Sequence, residues 1–211
     1  MSGYVLHDYY RSSASYRVRI ALNLKGIDYA RHDVSLLDGS QRTPEHMARS
    51  AQGFVPVLEL PGGRMLVQSL AIIDWLDAAH PQPSLTPADP LARADAMARA
   101  LIVACDIHPL NNLRVLKDLK HRFGADDAAR DDWYRHWVAE GLAALEAMAG
   151  DGRFLGGDAP DVSDVCLVPQ LYNARRYKLD LAPYPRLVAI DAAMQALAPV
   201  SAAHPDAVAP N

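Results

Sequence analysis

The 211-residue sequence predicts a small mixed α/β domain followed by an all-helical domain. Three observations carry that expectation. Residues 1 to about 80 alternate short strand-like and helix-like runs in the order β-α-β-α-β-β-α, which suggests a small sheet with helices on its faces. A proline-rich stretch from His80 to Pro90 then reads as a linker. Beyond Leu91 nearly every segment is helical in character. The expected domains are therefore 1–83, a linker over 84–90, and a helical domain over 91–211.

Tyr4 to Tyr10 reads as a strand, and residues 15–25 as a helix closed by Gly26. Asp28 to Val34 alternates like a second strand, and a loop with a short helix leads to the apolar strand Val55 to Leu60. Pro61-Gly62-Gly63-Arg64 is a hairpin turn into Met65-Leu66-Val67. Gln68-Ser69 opens the apolar helix Leu70 to Leu76. The second half predicts helices over 91–121, 128–149, 161–176 and 185–198, and from Pro199 onward the composition is that of a loose tail.

Half of the residues are apolar and 22% are charged, as in ordinary globular proteins. A net charge of -4 gives no global basic field, which argues against a nucleic-acid partner. No apolar run is long enough to span a bilayer, and no secretory leader is expected. Cys105 and Cys166 are far apart, form no CxxC pair and offer no metal-ligand spacing, so no metal centre is expected. Both are expected to be core thiols in a reduced, cytoplasmic protein.

The chemistry concentrates in Tyr9-Tyr10-Arg11-Ser12-Ser13-Ala14-Ser15-Tyr16-Arg17-Val18-Arg19, where a strand hands over to a helix. Helix N-termini leave backbone N–H groups unpaired and carry partial positive charge. N-capping accounts for one of the three serines. Three hydroxyls exceed what a cap requires, and with the N–H groups they make a donor-rich pocket suited to an anion such as a thiolate. Redox proteins with this β-α-β start place a cysteine in that corner. Here Ala14 stands among the serines, so a thiolate would have to arrive with a ligand. Val55-Pro56 is either an ordinary strand start or a cis bond presenting the Val55 backbone to an extended peptide. Gln68-Ser69 is either a plain helix cap or a carboxylate site. Arg17 and Arg19, inside the helix, are expected in structural ion pairs, whereas Arg11 abuts the serine pocket.

Ser12 through Leu22 closely resembles the SSCSxRVRIAL signature of zeta-class glutathione transferases. The resemblance continues through Lys25 to Tyr29, Val55-Pro56, Gln68 to Ile73, Leu110 to Leu113, Asp164 to Gln170, Asn173 to Leu181 and Pro183-Tyr184-Pro185, in order along nearly the whole chain. It implies a thioredoxin-like N-terminal domain, an all-helical C-terminal domain (the glutathione transferase fold), a homodimer, and glutathione as cofactor. By motif position, Ser12 would stabilise the glutathione thiolate, with Ser13 and Ala14 beside it at the helix start. Val55 before a cis Pro56 would pair with the cysteinyl backbone, Gln68 and Ser69 would hold the γ-glutamyl carboxylate, and Gln41 would lie near the glycyl end. His108, Asn112 and Arg114 match positions lining the cleft from the helical domain, and Arg176 matches the substrate-binding arginine. Ala14 departs from the family, which usually has cysteine there. Asp161 and Asp164 stand where a Ser or Thr and an Asp commonly cap the core helix of the second domain, and Asp also caps well.

The implied reaction converts maleylacetoacetate to fumarylacetoacetate in tyrosine and phenylalanine breakdown. A thiolate adds to a cis double bond, the resulting single bond rotates, and the sulfur leaves. Ser12 would keep the sulfur ionised, and Arg11 and Arg176 would orient the dicarboxylate substrate. Rival expectations are maleylpyruvate as substrate, transferase action on α-halo acids, and a non-catalytic transferase-like binding protein. The last predicts damage to the glutathione site, yet Ser12, Val55-Pro56 and Gln68-Ser69 are all present.

Overall fold

The computed structural model describes residues 3–210. The chain forms two compact units, one comprising residues up to Leu85 together with those from Gln195 onward, the other Thr86–Met194.

In the first unit the elements are β1 (Tyr4–Asp8), α1 (Ser13–Leu24), β2 (Tyr29–Asp33), a 3-10 turn (Ser40–Arg42), α2 (Pro44–Arg49), β3 (Val57–Glu59), β4 (Met65–Val67) and α3 (Ser69–Ala79). The sheet order is β2-β1-β3-β4. β1 runs parallel to β2, as a strand-helix-strand crossover requires, and β3 is antiparallel to both β1 and β4. This is the thioredoxin-like arrangement. The β3–β4 turn needs positive φ at Gly62 and Gly63, 101° and 86°, which glycine adopts without a Cβ clash. Leu6, Val57 and Leu58 from the sheet, Val18 and Leu22 from α1, and Ile72, Ile73 and Leu76 from α3 are buried as its core.

A buried ion pair ties α1 to β1. Arg19 Nη1 donates to both Asp8 carboxylate oxygens at 2.9 and 2.8 Å, and Arg31 Nε reaches the same carboxylate at 3.0 Å. Arg19 Nε and Nη2 donate to the carbonyls of Ala203 and Tyr10 at 3.0 and 2.9 Å. The Arg19 expectation is met.

The Ala203 contact belongs to a segment that does not behave as a loose tail. Residues 198–208 are ordered: α9 (Ala198–Ala202) packs on α1, Val200 and Ala203 are buried, and Asn23 and Arg31 donate to the carbonyls of Pro199 and Val208. Small apolar residues conceal this role in the sequence. Their carbonyls, rather than their side chains, make the bonds. These residues group with the first unit, whereas the sequence places all of 91–211 in the helical domain.

In the second unit the expected single helix over 91–121 is broken. α4 (Pro90–Leu101) runs into a π-helical turn (Ile102–Ile107), and α5 (Leu113–Phe123) restarts after Pro109 with Asn112 as its cap. A proline cannot donate to the preceding turn, and Asn competes for the backbone, so the helix ends there. α6 (Asp127–Met148) approaches the π turn closely: a Cβ on Gly141 would overlap the Ile107 side chain. α7 (Val162–Arg176) is buried over most of its length and packs on α4, with α8 (Pro185–Gln195) following. Cys166 is buried in α7, as expected, whereas Cys105 is exposed. Cys105 lies on the side opposite the stripe formed by the buried Ala96, Ala100, Val103 and Ile107.

The capping box at the start of α7 is present with Asp at both positions. Asp164 accepts the N–H groups of Leu155, Gly156 and Asp161 at 2.7, 3.0 and 2.9 Å. Burial outweighs these bonds and pushes its carboxyl up to about 6.

Two stability predictions arise here. Asp8→Ala leaves Arg19 buried without its counter-ion and lowers the unfolding free energy by about 3–5 kcal/mol in urea titrations; a loss below about 1 kcal/mol would show the pair to be incidental. For Asp164 the folded-state pKa lies above the unfolded one, so the folded state binds the extra proton. Its stabilising effect is fullest below about pH 4 and declines as pH rises through about 6. The stability gap between wild type and Asp164→Ala is therefore narrower at pH 8 than at pH 4.5. A wider gap at pH 8 would mean that the fold prefers the anion.

Candidate active site

The first unit gathers the expected ligand-binding groups around the start of α1 and the start of α3. Ser12 is the α1 cap: its Oγ accepts the Ser15 N–H at 3.3 Å, and its own N–H donates to the Tyr9 carbonyl at 2.8 Å. Capping uses an oxygen lone pair and leaves the Ser12 hydroxyl proton unspent. One hydroxyl can therefore cap the helix and still have a proton to donate. Ser13 is buried and Ala14 half-buried beside it, while Ser15 is fully buried with an Oγ that has no hydrogen-bond partner. Nothing acidic lies in the first turn to oppose an arriving anion.

Arg11 is exposed next to Ser12, with its guanidinium 5.0 Å from the centre of the Tyr10 ring. A cation on an aromatic face keeps its forked donors available for a carboxylate.

The Val55–Pro56 peptide bond is cis, and Val55 precedes the β3 ladder, whose pairing with β1 and β4 starts at Val57. The turn before it is held from α2, where His46 Nε2 bonds the Phe54 carbonyl at 2.9 Å, and from the 3-10 turn, where Arg42 donates to the Gln52 carbonyl at 3.0 Å. Gln41 sits on that 3-10 turn, half-buried, with an amide oxygen lacking a partner. Its carbonyl approaches Gly53 so closely that a Cβ there would fall 2.8 Å away. Gln68, at φ 70°, precedes α3 without capping it. Its Nε2 donates instead to Gln52 Oε1 at 2.7 Å. A non-glycine residue at positive φ is strained, and such strain recurs at ligand sites. Ser69 is buried at the first position of α3, so the helix terminus, the Ser69 hydroxyl and the Gln68 backbone converge.

Sequence reasoning missed two groups here. Gln52 holds Gln68, and nothing in its local context marks it. Arg17, expected in an ion pair, has none among the described residues: it is 1% exposed, and its one hydrogen bond to them runs from Nη1 to Ser69 Oγ at 3.3 Å.

In the helical unit, His108 closes the π turn, its N–H bonded to the Val103 carbonyl at 2.9 Å. Asn112 is spent in part on capping, since its Oδ1 accepts the Arg114 N–H at 3.1 Å, and Arg114 itself is exposed. Arg176, exposed at the end of α7, has a structured seat. Its Nη1 donates to Asn173 Oδ1 at 3.1 Å, and its guanidinium lies 5.5 Å from the Tyr177 ring, which is stacked on Tyr134 at 3.6 Å between centroids. Burial raises the Tyr134 phenol well above its ordinary pKa, so the stack stays neutral. No cluster of three or more His, Cys, Asp or Glu suited to a metal exists among the described residues.

The family comparisons agree with this geometry. Residues 6–84 match the model described as "Glutathione S-transferase, N-terminal domain", and residues 127–190 match "Glutathione S-transferase, C-terminal domain". The chain belongs to the glutathione S-transferase family. Within it, the chain is 49% identical to the maleylacetoacetate isomerase of Rhizobium meliloti (strain 1021) over 98% of both chains. It superposes on the holo structure of a maleyl pyruvate isomerase, described as a bacterial zeta-class transferase, with a TM-score of 0.94 and 42% identity, covering 97% of this chain and 98% of that one. A maleylacetoacetate isomerase from Anaeromyxobacter dehalogenans 2CP-1, solved with glutathione in its active site, gives a TM-score of 0.88 and 46% identity over 98% and 97%.

The dual role of Ser12 predicts a separation of effects. Ser12→Asn keeps a capping oxygen and melts close to wild type, whereas Ser12→Ala loses about 1 kcal/mol of stability by denaturant titration. Equal stability of all three proteins would remove Ser12 as the α1 cap.

Proposed function

We propose that this protein is a glutathione-dependent cis–trans isomerase that converts maleylacetoacetate to fumarylacetoacetate in the breakdown of tyrosine and phenylalanine. One observation carries the reading: α1 opens on a hydroxyl whose proton is unspent, in a corner with no thiol of its own. A site built to stabilise a thiolate but lacking one requires a thiol ligand.

The residues present fit glutathione. The buried donors without partners on Arg17, the half-buried Gln41 amide and the cis Val55–Pro56 bond lie on the elements that such a peptide would follow. Ser12, with Ser13 and Ala14, would hold the sulfur end; Val55 and Pro56 the cysteinyl backbone; Gln68 and Ser69 the γ-glutamyl carboxylate; and Gln41 the glycyl end. His108, Asn112 and Arg114 are proposed as further ligand contacts. When bound, glutathione supplies a thiolate that adds reversibly to the cis double bond, which frees rotation before the sulfur departs.

The protein's part is electrostatic and positional. Ser12 donates its hydroxyl proton toward the sulfur, and the α1 terminus adds its partial positive charge, both of which favour the anion. Arg11 and Arg176 each present a permanent fork to a substrate carboxylate. The Tyr177–Tyr134 stack and Asn173 restrict the motion of Arg176, so less ordering remains to be done when substrate arrives.

The same chemistry suits maleylpyruvate, which differs in the length of its keto-acid tail. The structural match to a maleyl pyruvate isomerase favours keeping that second reading. A homodimer in the cytoplasm completes the proposal. Its support is the class resemblance, two free cysteines and the absence of any helix long and apolar enough to cross a membrane among the described residues.

Steady-state rates on both substrates, with and without glutathione, test the reading. Turnover requires glutathione, and the higher kcat/KM identifies the substrate; undiminished isomerisation without a thiol would overturn it. Ser12→Ala lowers turnover by roughly a hundredfold or more. Arg176→Ala chiefly raises KM for dicarboxylates, by roughly tenfold, and an unchanged KM would place substrate recognition elsewhere.

A further inference from the structure

Among the described residues the first unit buries three Arg or Lys side chains, and two are saturated. Arg19 has a carboxylate and two carbonyls. Lys25 Nζ has Asp77 at 2.7 Å and the carbonyls of His80 and Pro83 at 2.7 and 2.8 Å. Arg17 is the exception. It is as buried as Arg19, yet Nε and Nη2 have no hydrogen-bond partner, and no carboxylate among the described residues pairs with it. Guanidinium does not escape burial by losing its proton. A buried charge without a counter-ion is costly, and the same domain avoids that cost twice.

The one contact Arg17 makes points to the missing anion. Nη1 donates to Ser69 Oγ, which occupies that oxygen as an acceptor and leaves the Ser69 hydroxyl proton to be donated onward. Ser69 opens α3, whose free N–H groups also favour negative charge. Charge, hydroxyl and helix terminus therefore converge on one spot that suits a carboxylate.

We infer that Arg17 is a positioning residue: it orients the Ser69 hydroxyl from behind and supplies the buried counter-charge for the α-carboxylate of a γ-glutamyl group at the start of α3. This rests on the glutathione reading above. It also assigns to the ligand the counter-ion that the free protein lacks, so the free protein carries a penalty that binding relieves.

Isothermal calorimetry on wild type and Arg17→Met, each with glutathione and with the analogue in which hydrogen replaces the γ-glutamyl α-carboxylate, tests the assignment without reference to turnover. Wild type binds the analogue about ten- to a hundredfold more weakly than glutathione. Arg17→Met binds glutathione weakly, by a similar factor, and no longer distinguishes the two ligands. Free Arg17→Met melts no lower than free wild type, while its glutathione-induced rise in Tm is smaller. Should Arg17→Met fail to fold, Arg17→Lys carries the test, keeping the charge with a different reach and showing partial discrimination. Full wild-type discrimination in Arg17→Met, or in Arg17→Lys where that variant carries the test, overturns the role of Arg17 alone, as does an equal loss for both ligands. Failure of wild type to bind glutathione at all overturns the glutathione reading and this inference with it.

Discussion

The whole arrangement hangs on the buried contact between Asp8 and Arg19. It joins the last residue of β1 to the middle of α1, both side chains being fully excluded from solvent. Because the helix is pinned to the strand that precedes it, the four residues between them have little freedom. They must turn back sharply, and they deliver Ser12 to the helix start. Arg31 from β2 and the Ala203 carbonyl close the same network, so sheet, helix and C-terminal segment are held at one point. An ion pair of this kind adds little net stability over an apolar pair, but it leaves few alternative registers for α1. Fixing a helix terminus in space is what a site reliant on backbone N–H groups needs.

Several polar groups keep bonding capacity beyond the contacts they make within the protein. Ser12 caps with a lone pair and has its proton left over. Ser69 accepts from Arg17 and keeps its own. Asn112 caps α5 with its oxygen and retains its NH₂ group. Economy of this sort suits a site whose nucleophile is imported: the protein does not need a reactive side chain, only oriented donors and fixed cations. Ala14 fits that logic, since the corner where related folds place a thiol presents only a methyl group. The reactive atom and the electrostatics that tune it are thus divided between ligand and protein.

Much of this was legible in the residues. The β-α-β-α-β-β-α order follows from periodicity and from the glycine-rich turn at Gly62-Gly63, and the serine cluster marks a helix start whatever the family. The resemblance then assigned positions that spacing alone left open, such as the cis bond before Pro56. What escaped was set by long-range contacts. Arg17 and Arg19 are indistinguishable locally, since neither has an acidic residue three or four positions away. Only the return of β1 gives Arg19 its Asp8 and leaves Arg17 without a partner. The C-terminal segment looked loose because it binds through carbonyls, which every residue carries. The long helical pattern after Leu91 concealed a π turn and a restart at Asn112. Helical periodicity over some thirty residues cannot register a local change of a fraction of a turn.

The central claim is that oriented hydroxyl and amide groups at the opening of α1 hold a borrowed sulfur in its anionic form. Ultraviolet titration of the thiolate of glutathione bound to the wild-type protein measures this directly. An ordinary thiol titrates near about 8.5. The account predicts an apparent pKa for the bound thiol below neutrality, moving back toward the ordinary value in Ser12→Ala. A bound thiol that titrates as it does free in solution would contradict it.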